Sequence, residues 1–169
     1  MTNLHTIGYE GVDLADFLRR LITAGVEVVI DVRELPLSRR KGFSKTPLSA
    51  ALEKQGIRYV HRKELGAPKA IRHELRDTGD YAEYFRRFNA YLRTQRTVLR
   101  ELVKEFNRKT VVLMCFEANP AKCHRSSVAR ELGKMANLDP VHLQVHRGAH
   151  HGLLPEASRL HTGQGIPAA

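Results

Sequence analysis

The stretch TVVLMCFEANPAKCHR, residues 110–125, is the part of this sequence that decides the fold. Its opening run, Thr110 to Phe116, is the most apolar segment of the chain, which is typical of a strand buried on both faces of a parallel sheet. Asn119-Pro120 then supplies a helix cap and a proline suited to a first helical turn, so a helix is predicted to run to about Ala136. A buried strand that leads directly into a helix is the repeating unit of α/β folds.

Strands and helices alternate along the rest of the chain. Strands are predicted at residues 4–9, 26–32, 57–62, 110–116 and 141–145, and helices at 13–24, 47–55, 81–106 and 120–136. The connections at 33–46 and 66–80 are predicted to be irregular, and long loops of this kind often carry function. The alternation predicts a single α/β domain, a mostly parallel sheet of about five strands with helices on both faces, as in Rossmann-like folds. We expect this domain to cover residues 1–145 and residues 146–169 to form a mobile tail.

The charge of the chain favours a polyanionic partner. Its 28 Lys and Arg residues outnumber its 18 Asp and Glu residues, so the formal net charge is +10. Such an excess of cations, spread over several segments, is typical of proteins that bind nucleic acid or a phosphate-bearing small molecule.

The composition also predicts the compartment. The sequence has two cysteines, Cys115 and Cys123, which is too few for a secreted disulfide framework. The opening residues MTNLHTIGYE resemble no signal peptide, and no apolar run approaches the length of a membrane span. We therefore expect a cytoplasmic protein without membrane contact.

Ligands of parallel α/β sheets bind outside the carboxyl ends of the strands. This rule selects Gly8-Tyr9-Glu10 after the first strand, Asp31-Val32-Arg33 at the end of the second, the region after Arg62 at the end of the third, and Cys115-Phe116-Glu117 at the end of the apolar run. A carboxylate that emerges from an apolar strand is partly desolvated, which suits general acid or base work. Glu117 and Asp31 are therefore candidate catalytic groups. Glu117 could instead cap the next helix, and Asp31 could instead form a structural ion pair with Arg33.

Cys123, His124 and Arg125 are predicted at the start of the helix that follows Pro120. The free backbone amides and the dipole of a helix start favour an anion, Arg125 adds a guanidinium fork that fits phosphate, and Ser126 adds a hydroxyl donor. The same field favours a thiolate at Cys123. We expect Cys123 and His124 to belong to the catalytic site, with anion binding favoured over covalent chemistry at the cysteine.

Three more specific interpretations of these residues fit the spacing in the sequence less well. Six residues separate Cys123 from Arg130, which does not match the loop of tyrosine phosphatases, and seven residues separate the two cysteines, unlike a dithiol redox motif. Zinc could be held by Cys115, Glu117, Cys123 and His124, but the paired-cysteine spacing of zinc fingers is absent from the sequence. We therefore expect no metal and no cofactor.

The loop at residues 37–45, LSRRKGFSK, combines cations with one aromatic ring. Its Arg39, Arg40 and Lys45 could contact a phosphate backbone while Phe43 stacks on a base. A solvated basic loop is the alternative interpretation.

As an ordered set, these segments resemble the domain-of-unknown-function family numbered 488. The resemblance is carried by Thr6-Ile7-Gly8-Tyr9-Glu10-Gly11, by Asp31-Val32-Arg33 with Pro36 and the Ser38-to-Lys45 loop, by Leu65-Gly66 with Lys69, and by Cys115-Phe116-Glu117 leading to Cys123-His124-Arg125. It extends from about His5 to Leu143. The resemblance implies a compact Rossmann-like domain of bacteria and archaea in which these motifs gather at one site, without assigning a reaction or a substrate.

The sequence leads to three functional hypotheses. The first is an enzyme that processes nucleic acid or nucleotides, such as a hydrolase acting on a base or glycosidic bond. In it Glu117 or Asp31 is the acid or base, Arg33 and Arg125 hold phosphate, and Tyr9 or Phe43 stacks on the base. The second is a non-catalytic nucleic-acid-binding module, and the third is a thiol- or metal-dependent enzyme.

Overall fold

The apolar segments of the chain form five strands in the computed structural model, which describes residues 3–148. These are β1 (Asn3–Gly8), β2 (Val28–Asp31), β3 (Arg58–His61), β4 (Thr110–Cys115) and β5 (Val141–Leu143). They pair in parallel in the order β3-β2-β4-β1-β5, which places the apolar β4 at the centre of the sheet. The predicted α/β fold with a five-stranded parallel sheet is confirmed.

Helices cover both faces of the sheet. The described residues form α1 (Leu14–Thr23), α2 (Lys45–Lys54), α3 (Lys69–Thr78), α4 (Tyr81–Arg93), α5 (Arg96–Glu105) and α6 (Arg125–Ala136). Buried residues of α1 and α2, such as Phe17 and Leu48, pack on one face, and those of α3 to α6, such as Phe88 and Val128, pack on the other. The core therefore has two apolar layers with the sheet between them.

The side chains of β4 alternate between these two layers, as the pleat of a strand requires. Val112 and Met114 belong to the layer of α1 and α2, whereas Val111, Leu113 and Cys115 belong to the layer of α3 to α6. Cys115, the last residue of β4, consequently lies on the same side of the sheet as α6.

The connections that leave β1 and β4 diverge. The chain passes from β1 into α1 on one face, and from β4 towards α6 on the opposite face. In open α/β sheets, such a point of divergence leaves a crevice outside the carboxyl ends of the strands. The residues that follow β1, β2 and β4 therefore lie at this crevice.

The prediction of a single helix at residues 81–106 is wrong, because the chain forms the separate helices α4 and α5. The break falls at Thr94-Gln95, where the Thr94 hydroxyl donates to the carbonyl of Tyr91 over 2.6 Å. One helix over this range would be about 39 Å long, about twice the length of a six-residue strand. The break lets both halves pack on the sheet.

The connection predicted to be irregular at residues 66–80 contains the helix α3, so that prediction is also wrong. Its apolar pattern is weak, since only Ile71 is buried and Leu75 is partly buried. Gly79, with a left-handed φ of 68°, ends the helix. The loop predicted at residues 33–46 is confirmed up to Ser44, and α2 begins at Lys45.

The helix predicted from Pro120 begins later. Asn119 caps a short 3-10 turn at Pro120–Lys122, and α6 starts only at Arg125. Cys123 and His124 therefore precede the helix. Of the predicted tail, residues 146–148 have no helix or strand, and residues 149–169 lie outside the described part of the chain.

None of the helices within residues 3–148 is long and apolar enough to cross a membrane.

Gly8 allows the loop after β4 to cross close over the end of β1. Gly8 is in register with Cys115, and beyond the strands Glu10 donates its backbone amide to the Phe116 carbonyl over 2.8 Å. A Cβ atom on Gly8 would lie 1.9 Å from the carbonyl oxygen of Glu117. Because Gly8 has no side chain, the backbone of Glu117 can lie directly against it, and this close approach positions Glu117.

We expect the variant Gly8→Ala to lower the free energy of unfolding by about 3 kcal/mol, because the added methyl group meets backbone that cannot move aside. The control is Gly25→Ala, where φ is 67° but nothing lies within 4 Å of the new Cβ. The control should cost only about 1 kcal/mol of conformational strain. Urea denaturation of both variants measures the difference, and equal losses would contradict the close approach at Gly8.

Candidate active site

A cleft of about 880 Å³ opens at the carboxyl ends of β1, β2 and β4. Cys115, Glu117 and His124 line it from the side of β4 and α6, and Tyr9 and Arg33 line it from the ends of β1 and β2. The structure thus brings together groups from three of the strand ends that the sequence selected.

The carboxyl group of Glu117 is largely buried in this cleft. Its Oε2 atom is inaccessible to solvent and has no hydrogen-bond partner among the described residues. Burial, reinforced by the negative charge of the nearby Cys123 thiolate, raises the pKa of Glu117 to about 7. The predicted partly desolvated carboxyl group is therefore found where acid or base work would need it.

Near Glu117, the thiols of Cys115 and Cys123 lie close to the imidazole of His124. Nδ1 of His124 is 3.9 Å from Sγ of Cys115 and 3.9 Å from Sγ of Cys123. Nε2 of His124 donates to the Val32 carbonyl over 2.8 Å, since a carbonyl can only accept. The edge of the Phe88 ring packs on the imidazole at 5.2 Å between centroids. These contacts fix His124 so that Nδ1 faces both sulfur atoms.

The thiols and the imidazole shift one another's ionisation. Burial opposes a charge on Cys123, but the hydrogen bond from Cys115 and the charge of His124 hold the pKa of Cys123 well below its usual value. Burial also opposes a charge on His124, but the Cys123 thiolate raises the pKa of the imidazole. The hydrogen bond with Cys123 and burial raise the pKa of Cys115. The contacts with Cys115 and His124 therefore favour the thiolate form at Cys123 over that at Cys115, in the direction that the sequence predicted, although Cys123 precedes α6.

Arg125 contacts the protein backbone and does not line the cleft. Its guanidinium donates to the carbonyls of Glu117 and Ala118, and its Nε donates to Oγ1 of Thr6 over 3.2 Å. With only 1% of its surface exposed, Arg125 holds the loop that carries Glu117. The predicted fork for a phosphate is therefore already occupied.

Ser126 is also turned away from the cleft. Its hydroxyl donates to the Cys123 carbonyl over 2.8 Å, and it lines a separate surface depression with Arg130 and His142. The structure does not bring Ser126 to the other predicted site residues.

Asp31 and Arg33 form a second polar cluster, on the α1 and α2 side of the sheet. Nε and NH2 of Arg33 donate to the two Asp31 oxygens over 2.9 and 2.6 Å, and the Tyr59 hydroxyl donates to Asp31 over 2.6 Å. Arg33 also donates to the Tyr9 hydroxyl and to the Phe43 carbonyl. Asp31 is completely buried and does not line the cleft, so the structural ion pair, the alternative to catalysis, describes its geometry.

The prediction that Phe43 offers a ring to a base is wrong, because its side chain is completely buried. Phe43 stacks on Tyr9 with 4.4 Å between ring centroids. Tyr9 itself is 2% exposed, although it contributes to the wall of the cleft. The exposed ring here is Phe116, which contacts the edge of Tyr9 and keeps 44% of its surface accessible.

The basic loop contributes unequally to the cleft. Arg39 and Arg40 are exposed and line it, and Arg40 also donates to the Val12 carbonyl. Lys45 is exposed at the start of α2 and does not line the cleft.

Several cleft residues were not predicted from the sequence. They are Leu35, Leu37, Arg72, Arg76 and Tyr81. The Ile71 and Leu75 spacing was a signal for the helix that carries Arg72 and Arg76. Cys115 and Phe116 belong to a strand end that the sequence selected, and Cys115 is also one of the zinc ligands that the sequence offered as an alternative.

The family model described as the domain of unknown function DUF488 matches residues 13–132. The chain belongs to the DUF488 family. This confirms the resemblance found in the sequence motifs. No curated protein and no solved structure matches the sequence. The function of this DUF488 domain must therefore be inferred from its own structure.

In this DUF488 domain, the variant Arg33→Met should lower the free energy of unfolding by about 3 to 5 kcal/mol, since it leaves the Asp31 charge buried and unpaired. The control is Arg58→Met, which breaks the exposed pair with Glu105 and should cost less than about 1 kcal/mol.

The double variant Asp31→Asn with Arg33→Met should lose clearly less free energy of unfolding than the two single variants lose together, because it no longer buries an uncompensated charge. Chemical denaturation measures all of these variants. Additive losses would show that the two side chains do not depend on each other.

Proposed function

We propose that this DUF488 domain is an enzyme that processes a nucleic acid or a nucleotide, as a hydrolase acting on a base or glycosidic bond. The observation that carries the proposal is the Glu117 carboxyl group, which lies in a cleft lined by arginines and has a buried oxygen without a hydrogen-bond partner among residues 3–148. A group placed in this way can exchange a proton with a bound substrate.

The arginines of the cleft support a substrate with phosphate groups. Arg39, Arg40 and Arg76 are exposed at its wall, and Arg72 reaches it while paired with Glu34 over 2.6 Å. A guanidinium group binds phosphate oxygens in a forked geometry. Together with the net charge of +10, these side chains would attract a polyanion.

Two exposed rings support recognition of a base. Phe116 and Tyr81 line the cleft with 44% and 38% of their surfaces accessible. A base can stack on such rings with little dependence on its identity. Phe116 thereby takes the role that the sequence suggested for Phe43.

The proposed reaction uses Glu117 as the acid or base. In hydrolysis, water adds to the sugar carbon or base carbon while the bond to the leaving group breaks and the leaving group takes a proton. Glu117 would deliver that proton or remove one from the water. Arg125 would position Glu117 through its backbone, and Asp31 would hold Arg33 at the wall.

We also propose a cytoplasmic location, which the presence of two unpaired cysteines favours. A non-catalytic binding module is the alternative to an enzyme, because the same arginines and rings would hold nucleic acid without turnover.

The variant Glu117→Gln should lose turnover by about 100-fold or more while it keeps its affinity, because the amide preserves shape but cannot exchange a proton. Turnover is measured as release of free base or nucleoside from a panel of nucleosides, nucleotides and short single-stranded oligonucleotides, by mass spectrometry. Unchanged turnover would exclude Glu117 from the reaction. Tight binding by the wild type without turnover on any member would support the binding module.

The variant Arg39→Gln should weaken binding of a single-stranded oligonucleotide and reduce the slope of log affinity against log salt by about 0.7. Arg100→Gln is the matched control, because Arg100 is exposed on α5 and does not line the cleft. Fluorescence anisotropy over a range of salt concentrations measures both. Equal effects of the two variants would show that the nucleic acid is bound by overall charge and not in the cleft.

A further inference from the structure

Three donor atoms converge at the inner end of the cleft. Sγ of Cys115, Sγ of Cys123 and a ring nitrogen of His124 all lie within 4.8 Å of one another. All three residues are buried, and Cys115 and His124 also line the cleft. The group is therefore enclosed by protein and open to the cleft on one side.

The spacing of the donors fits a tetrahedral metal ion. With bonds of about 2.3 Å to sulfur and 2.0 Å to nitrogen, tetrahedral zinc sets its sulfur and nitrogen ligands about 3.5 Å apart. Nδ1 of His124 is 3.9 Å from each sulfur atom. A small adjustment of the side chains would therefore bring all three donors to bonding distance.

The surroundings of the donors are those of metal ligands. Nε2 of His124 donates to the Val32 carbonyl, which leaves the lone pair of a neutral imidazole on Nδ1, towards the sulfur atoms. The backbone amide of Arg125 donates to Sγ of Cys123 at 3.5 Å. Such outer contacts orient ligating histidines and support thiolate ligands in metalloproteins.

The fourth ligand would come from the open side of the group. Oε2 of Glu117 is buried and has no partner among the described residues, and its residue lines the same cleft as Cys115 and His124. A carboxylate oxygen or a water molecule completes the coordination of zinc when the protein supplies three ligands.

We propose that Cys115, Cys123 and His124 bind one thiophilic divalent cation, with zinc as the fitting ion, and that its fourth position faces Glu117. This site goes beyond the proposed function and does not depend on the substrate, so its test needs no turnover. Two thiolates and an imidazole are a donor set that suits zinc over magnesium or calcium. The order Cys-x-Glu followed by Cys-His departs from the paired cysteines of zinc fingers, because the ligands come from the end of β4 and from the residues just before α6.

The experiment uses the full chain, purified under reducing conditions and stripped with a chelator. Cobalt(II) serves as the spectroscopic probe, and zinc is then added in competition. We expect about one cobalt ion per chain, a sulfur-to-cobalt charge-transfer band, the strong visible bands of tetrahedral cobalt, and displacement of all of them by zinc. Zinc should also protect both cysteines from alkylation.

The variants Cys123→Ser and His124→Gln should each lower the affinity for zinc by at least about 100-fold, more than the loss of an outer contact costs. His73→Gln is the matched control, since His73 lies on α3 and does not line the cleft. Circular dichroism checks that each variant is folded. Folded variants that bind zinc as tightly as the wild type would overturn the proposal.

The wild-type result alone can also overturn it, whatever the variants do. The sequence contains His146, His150 and His151, which could bind cobalt without sulfur. Cobalt binding without a sulfur charge-transfer band, or no binding at all, would show that the two cysteines hold no metal. If the chain binds zinc but turns over no member of the panel, the result supports the metal site and counts against the proposed hydrolase.

Discussion

The buried guanidinium group of Arg125 joins three parts of the chain that the site depends on. It contacts Thr6 on β1 and the backbone carbonyls of Glu117 and Ala118, and it belongs to the first turn of α6. Burying a cation is costly unless its donors are satisfied. The loop after β4 must therefore keep its carbonyls turned towards Arg125, and this arrangement sets the position of the Glu117 side chain.

The sheet separates two polar clusters that the sequence placed in one group. Asp31 and Arg33 lie with the α1 and α2 layer, whereas Cys115 and His124 lie with the α3 to α6 layer. The cleft at the strand ends connects them, since Arg33 and His124 both line it and His124 donates to the Val32 carbonyl. One cluster is a satisfied ion pair that supports the wall, and the other offers reactive groups.

The candidate site was predictable from the sequence to the extent that it follows the strand ends. Tyr9, Arg33 and Glu117 line the cleft because every parallel strand leads its next residues to the same edge of the sheet. Phe43 and Arg125 could not be assigned correctly, because an aromatic ring or a guanidinium group can face either core or solvent. Their burial depends on Tyr9, Thr6 and other partners that lie far from them in the sequence.

The sequence by itself determined the alternation of strands and helices, the central place of the 110–116 run and the edge of the sheet where the cleft lies. These are consequences of local periodicity and of chain direction. Only the tertiary structure decided which polar groups meet. Successive residues of a strand point to opposite faces, and the crossovers of the helices decide what covers each face, so Cys115 meets Cys123 and His124 while Asp31 meets Arg33 and Tyr59.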